Sequence, residues 1–192
     1  MMDTDCIISF WKEAAKHHLV LRQIWCSDHQ RQESDSEHAW HTALFLMLLE
    51  KEYPQLDMRR MLKMAILHDM AEIYAGDNWV LDKKGRVGKK EREQTAWKQL
   101  LAQLPPNLTT DWHSIVQEYE EKKTPEAKLV NACDKLQPLI MNLLSDGQSW
   151  KKFNVSFADI HGVKIQHVQH DKFLMKIYET LMHEAKERKL LH

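Results

Sequence analysis

The segment Ala65-Ile66-Leu67-His68-Asp69-Met70-Ala71 sets an imidazole and a carboxylate side by side in a run that is otherwise apolar. No other feature restricts the folding of the chain so sharply. A run of this kind belongs to an interior, and burying a carboxylate there costs several kcal/mol, roughly, even when it is paired. The fold must therefore bring a counter-charge to this point. A second segment repeats the anomaly: Leu129-Val130-Asn131-Ala132-Cys133-Asp134-Lys135-Leu136 carries Asp134 among core-type residues. His38 stands near the start of another helical pattern, just after Glu37. Successive helical residues point about 100° apart, close enough for His68 and Asp69 to bend toward one point. Glu72, four residues after His68 and three after Asp69, shares their face one turn on.

The rest of the chain reads as helix. Only five Gly and five Pro interrupt 192 residues, and no segment alternates convincingly enough for a strand. Apolar spacing predicts a helix from Ile7 to about Trp25 with a break near His17-His18, then a polar loop from Cys26 to Asp35. Ser34-x-x-Glu37 is a capping box for a helix whose stripe is Trp40, Ala43, Leu44, Met47 and Leu48, ending before Pro54. Asp57 caps a helix running through Met58, Met61, Leu62, Ala65, Ile66 and Ile73, with Gly76 at the left-handed position beyond its end. A basic loop or lid follows from Asp77 to Lys90. Further helices are expected from Lys89 to Leu104, stopped by Pro105-Pro106, and from Asp111 to Glu121. Another opens at Thr124-Pro125-Glu126 and carries Leu129 to Leu143. After a less regular stretch, Asp171 to Leu191 closes the chain. The expectation is an all-α, single-domain helical bundle over residues 1–192, with Cys133 and the regularly spaced Met and Trp residues filling the core.

Charge narrows the function classes. The formal net charge is −1 with neutral histidines, so nothing draws the whole molecule to a nucleic acid polymer or an anionic membrane. The longest apolar run, Ala43 to Leu49, is far short of the roughly 20 residues that span a bilayer. Cys6, Cys26 and Cys133 share no metal-like spacing and read as reduced thiols. Met1-Met2-Asp3-Thr4-Asp5 is acidic where a secretory signal is basic. A cytoplasmic protein is expected.

Two imidazoles and two carboxylates, His38, His68, Asp69 and Asp134, make a mixed nitrogen and oxygen donor set without thiolate. Such a set suits one divalent Zn, Mn, Fe, Co or Ni ion better than Mg or Ca. Asp134 has a simpler alternative, pairing with Lys135 or Lys128.

The order His … His-Asp … Asp resembles the HD-domain phosphohydrolase superfamily, and within it the 5′-deoxynucleotidase branch. The resemblance rests on Ser36-Glu37-His38, on His68-Asp69-Met70-Ala71-Glu72 through Gly76-Asp77, and on Glu118-Tyr119-Glu120 … Thr124-Pro125-Glu126-Ala127-Lys128 … Asp134-Lys135-Leu136. It covers about Arg22 to Leu144. It implies a phosphomonoesterase acting on nucleoside or deoxynucleoside 5′-monophosphates through a water on the ion, and a homodimer is common in the branch. By the resemblance His38, His68, Asp69 and Asp134 ligate the metal, Glu72 and Asp77 are the catalytic and substrate-contacting acids, and Arg22 holds phosphate. The chain departs from the branch at Asn78-Trp79-Val80, where an Ile-Pro turn is usual, and at Gln23, where Trp is usual. Both lie at the expected pocket rim. Two-metal members carry extra histidines before the last Asp, whereas only His113 lies in that interval here, so one ion is expected. His41 is expected near the site or at the surface, and His17, His18, His161, His167 and His170 at the surface. Other readings are a hydrolase of another phosphate ester or a nucleoside polyphosphate, and a non-catalytic nucleotide sensor that keeps its metal.

Overall fold

The computed structural model describes residues 4–82 and 84–192. Its first departure from expectation lies at the N-terminal helix. Helix α1 spans Thr4–Ala14, a tighter 3₁₀ turn covers Ala15–Leu19, and the chain then extends as β1, Leu21–Trp25. A second strand, β2 (Gln32–Ser34), lies within the expected loop. The two pair antiparallel, Leu21 opposite Ser34 and Trp25 opposite Gln32, with an irregularity between. Strands this short carry too few residues for a period-2 signal, which is why the pattern alone missed them. A two-stranded ribbon has little stability of its own and needs packing support, which the later helices supply.

From there the caps act as read. Ser34 and Glu37 exchange hydrogen bonds at the start of α2 (Asp35–Leu49), and Asp57 accepts from the Arg60 N–H at the start of α3 (Met58–Leu67). The α3 helix does not run on to Ile73. It stops at Leu67, the backbone turns through His68 to Ala71, and a short α4 resumes at Glu72–Ala75. Gly76 has φ +73° as its place predicts, but an extended ψ of 149°, so the chain leaves straight toward Asp77. Residues 77–82 and 84–88 are irregular apart from turns, and Lys83 of the expected lid lies outside the described residues. Helix α5 covers Lys89–Leu101. Pro106 opens α6 (Pro106–Glu121) at its first position, so the proline pair ends one helix and starts the next. That start precedes the expected one at Asp111. Thr124 caps α7 (Pro125–Leu144). The stretch read as less regular holds α8 (Gln148–Lys152) and α9 (Phe157–Val168), and α10 (Lys172–Glu187) closes the chain behind its Asp171 cap.

Helix α7 is the axis of the molecule. It is buried nearly all round, and α2, α3, α6, α8, α9, α10 and β1 all pack against it. Pro138 interrupts it, lacking the N–H that would bond the Asp134 carbonyl one turn earlier. Cys133 is fully buried as expected. The apolar stripe read on α2, by contrast, faces outward: Trp40, Met47 and Leu48 are exposed by 61%, 56% and 74%. Its buried face is instead Asp35, His38, Ala39, Thr42, Leu46 and Leu49, because the polar end of this helix lines a site. Trp11 is likewise exposed. Among the described residues no helix is long and apolar enough to cross a membrane.

This inversion predicts unequal costs on one helix. Leu46→Ala should lose about 2–5 kcal/mol of stability, whereas Trp40→Lys should stay within about 0.5 kcal/mol. Urea unfolding at unchanged m-value measures both, and equal losses would return Trp40 to the core.

Candidate metal centre and its pocket

Three separate stretches of chain deliver the four residues picked out by burial arguments. His38 comes from the first turn of α2 and His68 from the residue that ends α3. Asp69 follows in the turn, and Asp134 comes from the middle of α7. The break after Leu67 frees His68 and Asp69 from strict helical directions, so both face the same point. His38 Nε2 stands 3.1 Å from Asp134 Oδ1 and 3.8 Å from Asp69 Oδ2. His68 Nε2 stands 3.1 Å from Asp69 Oδ2 and 3.9 Å from Asp134 Oδ1. The four donors thus close a ring. One donor atom each from His38, His68 and Asp69 lies within 4.8 Å of the others.

The protons on the rings can be assigned from their outer partners. The Gln137 amide donates through Nε2 to Glu33 Oε1 at 2.6 Å, which turns its Oε1 toward His38 Nδ1 at 2.8 Å. His38 therefore carries its proton on Nδ1. His68 donates from Nδ1 to the Ala65 carbonyl at 2.9 Å. In the neutral rings both Nε2 atoms present lone pairs, and both face carboxylate oxygens. His68 Nε2 is buried without a hydrogen-bond partner. Lone pairs and carboxylates gathered in a dry interior repel one another unless a cation sits among them. Ligand bonds of about 2.0–2.2 Å would set adjacent donors on one ion about 3–3.5 Å apart, close to the spacings here. The residues fit a divalent ion.

The two rings differ electrostatically: burial lowers His68, but the Asp69 and Asp134 charges raise it above its ordinary range. Burial, with the Arg22 charge, pushes His38 below its ordinary range, which keeps it neutral. Burial would raise Asp134, but Lys135 and the His38 hydrogen bond hold it well below the usual carboxylate range. Of the pairings read for Asp134, the one to Lys135 is present: Lys135 Nζ lies 2.7 Å from Oδ2, where Tyr119 also donates at 2.6 Å, while Oδ1 faces the histidines.

Beyond the ring lies a second acidic group, Asp35, Glu72 and Asp77, again with donors within 4.8 Å of one another. Glu72 Oε1 accepts from Lys89 at 2.9 Å, and its Oε2 is buried without a partner. Burial and the Asp69 charge push Glu72 well above the ordinary carboxylate range. Burial and Asp69 lift Asp35 to about 7. Arg22, delivered by β1, stands between the two groups, its Nη1 3.2 Å from Asp35 and 3.0 Å from Asp69. A pocket of about 90 Å³ opens from the ring past Arg22, Glu72 and Asp77. Gln23, Asn78, Trp79 and Val80, the departures noted in the sequence, all line it. Of the basic segment, Arg86 and Lys89 reach the pocket.

Several residues at the site escaped the sequence reading. Asp35, Glu33, Tyr119 and Gln137 all hold or flank the ring. Gln137 had a readable signal, standing in Leu136-Gln137-Pro138-Leu139 as Asp134 stands in its own apolar run. Lys164 had one too, occupying the apolar row Ile160, Lys164, Val168 on α9, and it lines the pocket wall. His41 sits as expected beside the site, with Nδ1 3.1 Å from Glu33. His17 does not lie at the surface: it is buried 3.9 Å from Asp35 Oδ2, and burial lowers it to about 4. His167 is half-buried against Asn131, while His18, His161 and His170 are exposed.

Comparison with known proteins agrees with this geometry. A family model described as an HD domain matches residues 14–175. The 5′-deoxynucleotidase HDDC2 of Xenopus laevis is 32% identical over 124 residues, covering 65% of this chain and 58% of that protein. The Homo sapiens protein of the same name is 32% identical over 111 residues, covering 58% and 53%. The chain thus matches little more than half the length of these curated relatives. A solved structure titled as a predicted metal-dependent phosphohydrolase, from Magnetospirillum magnetotacticum, is 34% identical with a TM-score of 0.87, covering 97% of both chains. An HD-domain phosphohydrolase from Listeria innocua shares the fold, at 16% identity and a TM-score of 0.67 over 95% of this chain and 89% of that one. With a helical fold, a His, His-Asp, Asp ring and a family match over most of its length, this chain belongs to the HD-domain family.

Proposed function

We propose that this chain is a phosphomonoesterase that removes phosphate from nucleoside 5′-monophosphates, deoxynucleotides included, using one divalent ion held by His38, His68, Asp69 and Asp134. The observation that carries the reading is the closed ring of two bare imidazole nitrogens and two carboxylates at the floor of a pocket. The relatives named 5′-deoxynucleotidases support the substrate class. The donor set favours Mn, Co, Zn, Fe or Ni. When bound there, such an ion supplies Lewis-acid polarisation of a phosphoryl oxygen and of water.

The chain's own groups divide the remaining work. Glu72, 2% exposed and held at one oxygen by Lys89, takes a proton from the attacking water as the new P–O bond forms. The ester P–O bond breaks, the nucleoside oxygen takes up the proton that Glu72 received from the water, and inorganic phosphate remains. Arg22, fixed by Asp35 and Asp69, faces the phosphoryl charge that builds up during transfer. Asp77 at the pocket wall accepts from a sugar hydroxyl and so positions the ester.

Metal-depleted protein should release no phosphate from a panel of phosphate esters. Resupply of Mn, Co or Zn should restore release, with nucleoside 5′-monophosphates cleaved best. A better turnover of nucleoside triphosphates or of non-nucleotide esters would overturn the substrate class. Glu72→Gln should lower kcat by about 10²–10⁴-fold while elemental analysis finds wild-type metal; metal lost together with turnover would make Glu72 a ligand instead. Gln137→Leu removes the acceptor that orients His38, and should weaken metal affinity about 10–100-fold in a chelator competition. Unchanged affinity would show that His38 needs no such support.

A further inference from the structure

The cations that line the pocket are unequal in one respect. Arg22 is surrounded by carboxylates, with Asp35 and Asp69 within 3.2 Å of Nη1 and Glu33 3.6 Å from Nε. Lys89 is bound by Glu72 and Glu93, and Lys135 by Asp134. Arg86 is exposed. Lys164, on α9, is 5% exposed and makes no hydrogen bond or ion pair among the described residues. Its side chain lines the same pocket, together with Leu139, Trp150, Ile160 and Lys135.

A buried ammonium without a counter-charge is costly to the fold. Burial, with the nearby Lys135 charge, lowers its pKa to about 7, so the folded chain on its own does not satisfy this group. A methionine or leucine would continue the Ile160 and Val168 row at lower cost. On α7, Asn142 Oδ1 is buried without a hydrogen-bond partner among the described residues, while its amide nitrogen donates to the Pro138 carbonyl. Two unmet polar atoms of pocket-lining residues point to groups that arrive with a ligand. A phosphate monoester brings close to two negative charges at neutral pH, more than the single charge of Arg22, itself shared with three carboxylates, can balance alone.

We propose that Lys164 is a substrate-binding residue whose ammonium contacts the phosphoryl oxygens of the ester in the pocket that Arg22 also lines. The proposal rests on the phosphomonoesterase reading above and adds to it a residue that lies beyond the stretch carrying the family motifs. Lys164→Met keeps the stem and removes the charge, and Lys164→Gln keeps a polar end should Met disturb the wall.

Inorganic phosphate is the probe, titrated calorimetrically into metal-loaded protein. Both variants should bind it about 10–100-fold more weakly than wild type. Metal content should be unchanged, and without phosphate Lys164→Met should melt at a higher temperature than wild type. With a nucleoside 5′-monophosphate the loss should fall mainly on KM. If wild type binds phosphate and cleaves the ester while both variants match it, the role of Lys164 is refuted and the activity stands. If wild type neither binds phosphate nor cleaves any ester, the phosphomonoesterase reading fails and this inference fails with it.

Discussion

Two imidazole nitrogens aimed at two carboxylates, the imidazoles buried and the carboxylates lining a pocket, form the constraint around which the rest of this structure is arranged. Such an arrangement has no reason to persist as bare protein. Every neighbouring polar contact acts to hold it in one geometry. Gln137, itself turned by Glu33, fixes the His38 ring. The Ala65 carbonyl fixes His68. Tyr119 and Lys135 occupy the outer oxygen of Asp134 and leave the inner one free. These partners decide which atom of each residue faces inward, which composition alone cannot do.

The backbone yields to the same demand. Helix α3 ends one residue before His68 rather than continuing through the acidic turn, and the short ribbon β1–β2 brings Arg22 against Asp69 and Glu33 against both Arg22 and Gln137. Helix α2 turns its polar face inward and leaves Trp40, Met47 and Leu48 in solvent. The burial of His38 and Asp35 is compensated by charge and hydrogen bonding rather than by hydrophobic area. The apolar packing that α2 forgoes is supplied along α7, which is enclosed on nearly every side.

What the sequence revealed, and what it hid, follows from how each signal arises. His68, Asp69 and Asp134 were legible because a charged residue in an apolar run has few explanations. The caps at Ser34, Asp57 and Thr124 were legible because they act over three residues. The ribbon at Leu21–Trp25 was not, since its existence depends on packing against helices much later in the chain. The α2 stripe was detected but placed on the wrong side: periodicity locates two faces without saying which is inside, and here the polar one is. Glu33 and Gln137 make their contact across 104 residues, a pairing that no local pattern encodes. Lys164 went unread because a lone lysine on a helix usually reaches solvent, and only its enclosure shows that it does not.

The ring joins positions that lie far apart along the chain, with His38 and Asp134 separated by 96 residues. None of this geometry survives in an unfolded chain. An ion recognised only by the assembled ring, as proposed, would therefore draw the population toward the native state by mass action, more strongly as its free concentration rises above its dissociation constant. The durability of this molecule would then be a property shared between the polypeptide and its surroundings: supply of the cation and integrity of the helices would rise and fall together, like a clasp whose pin is carried separately.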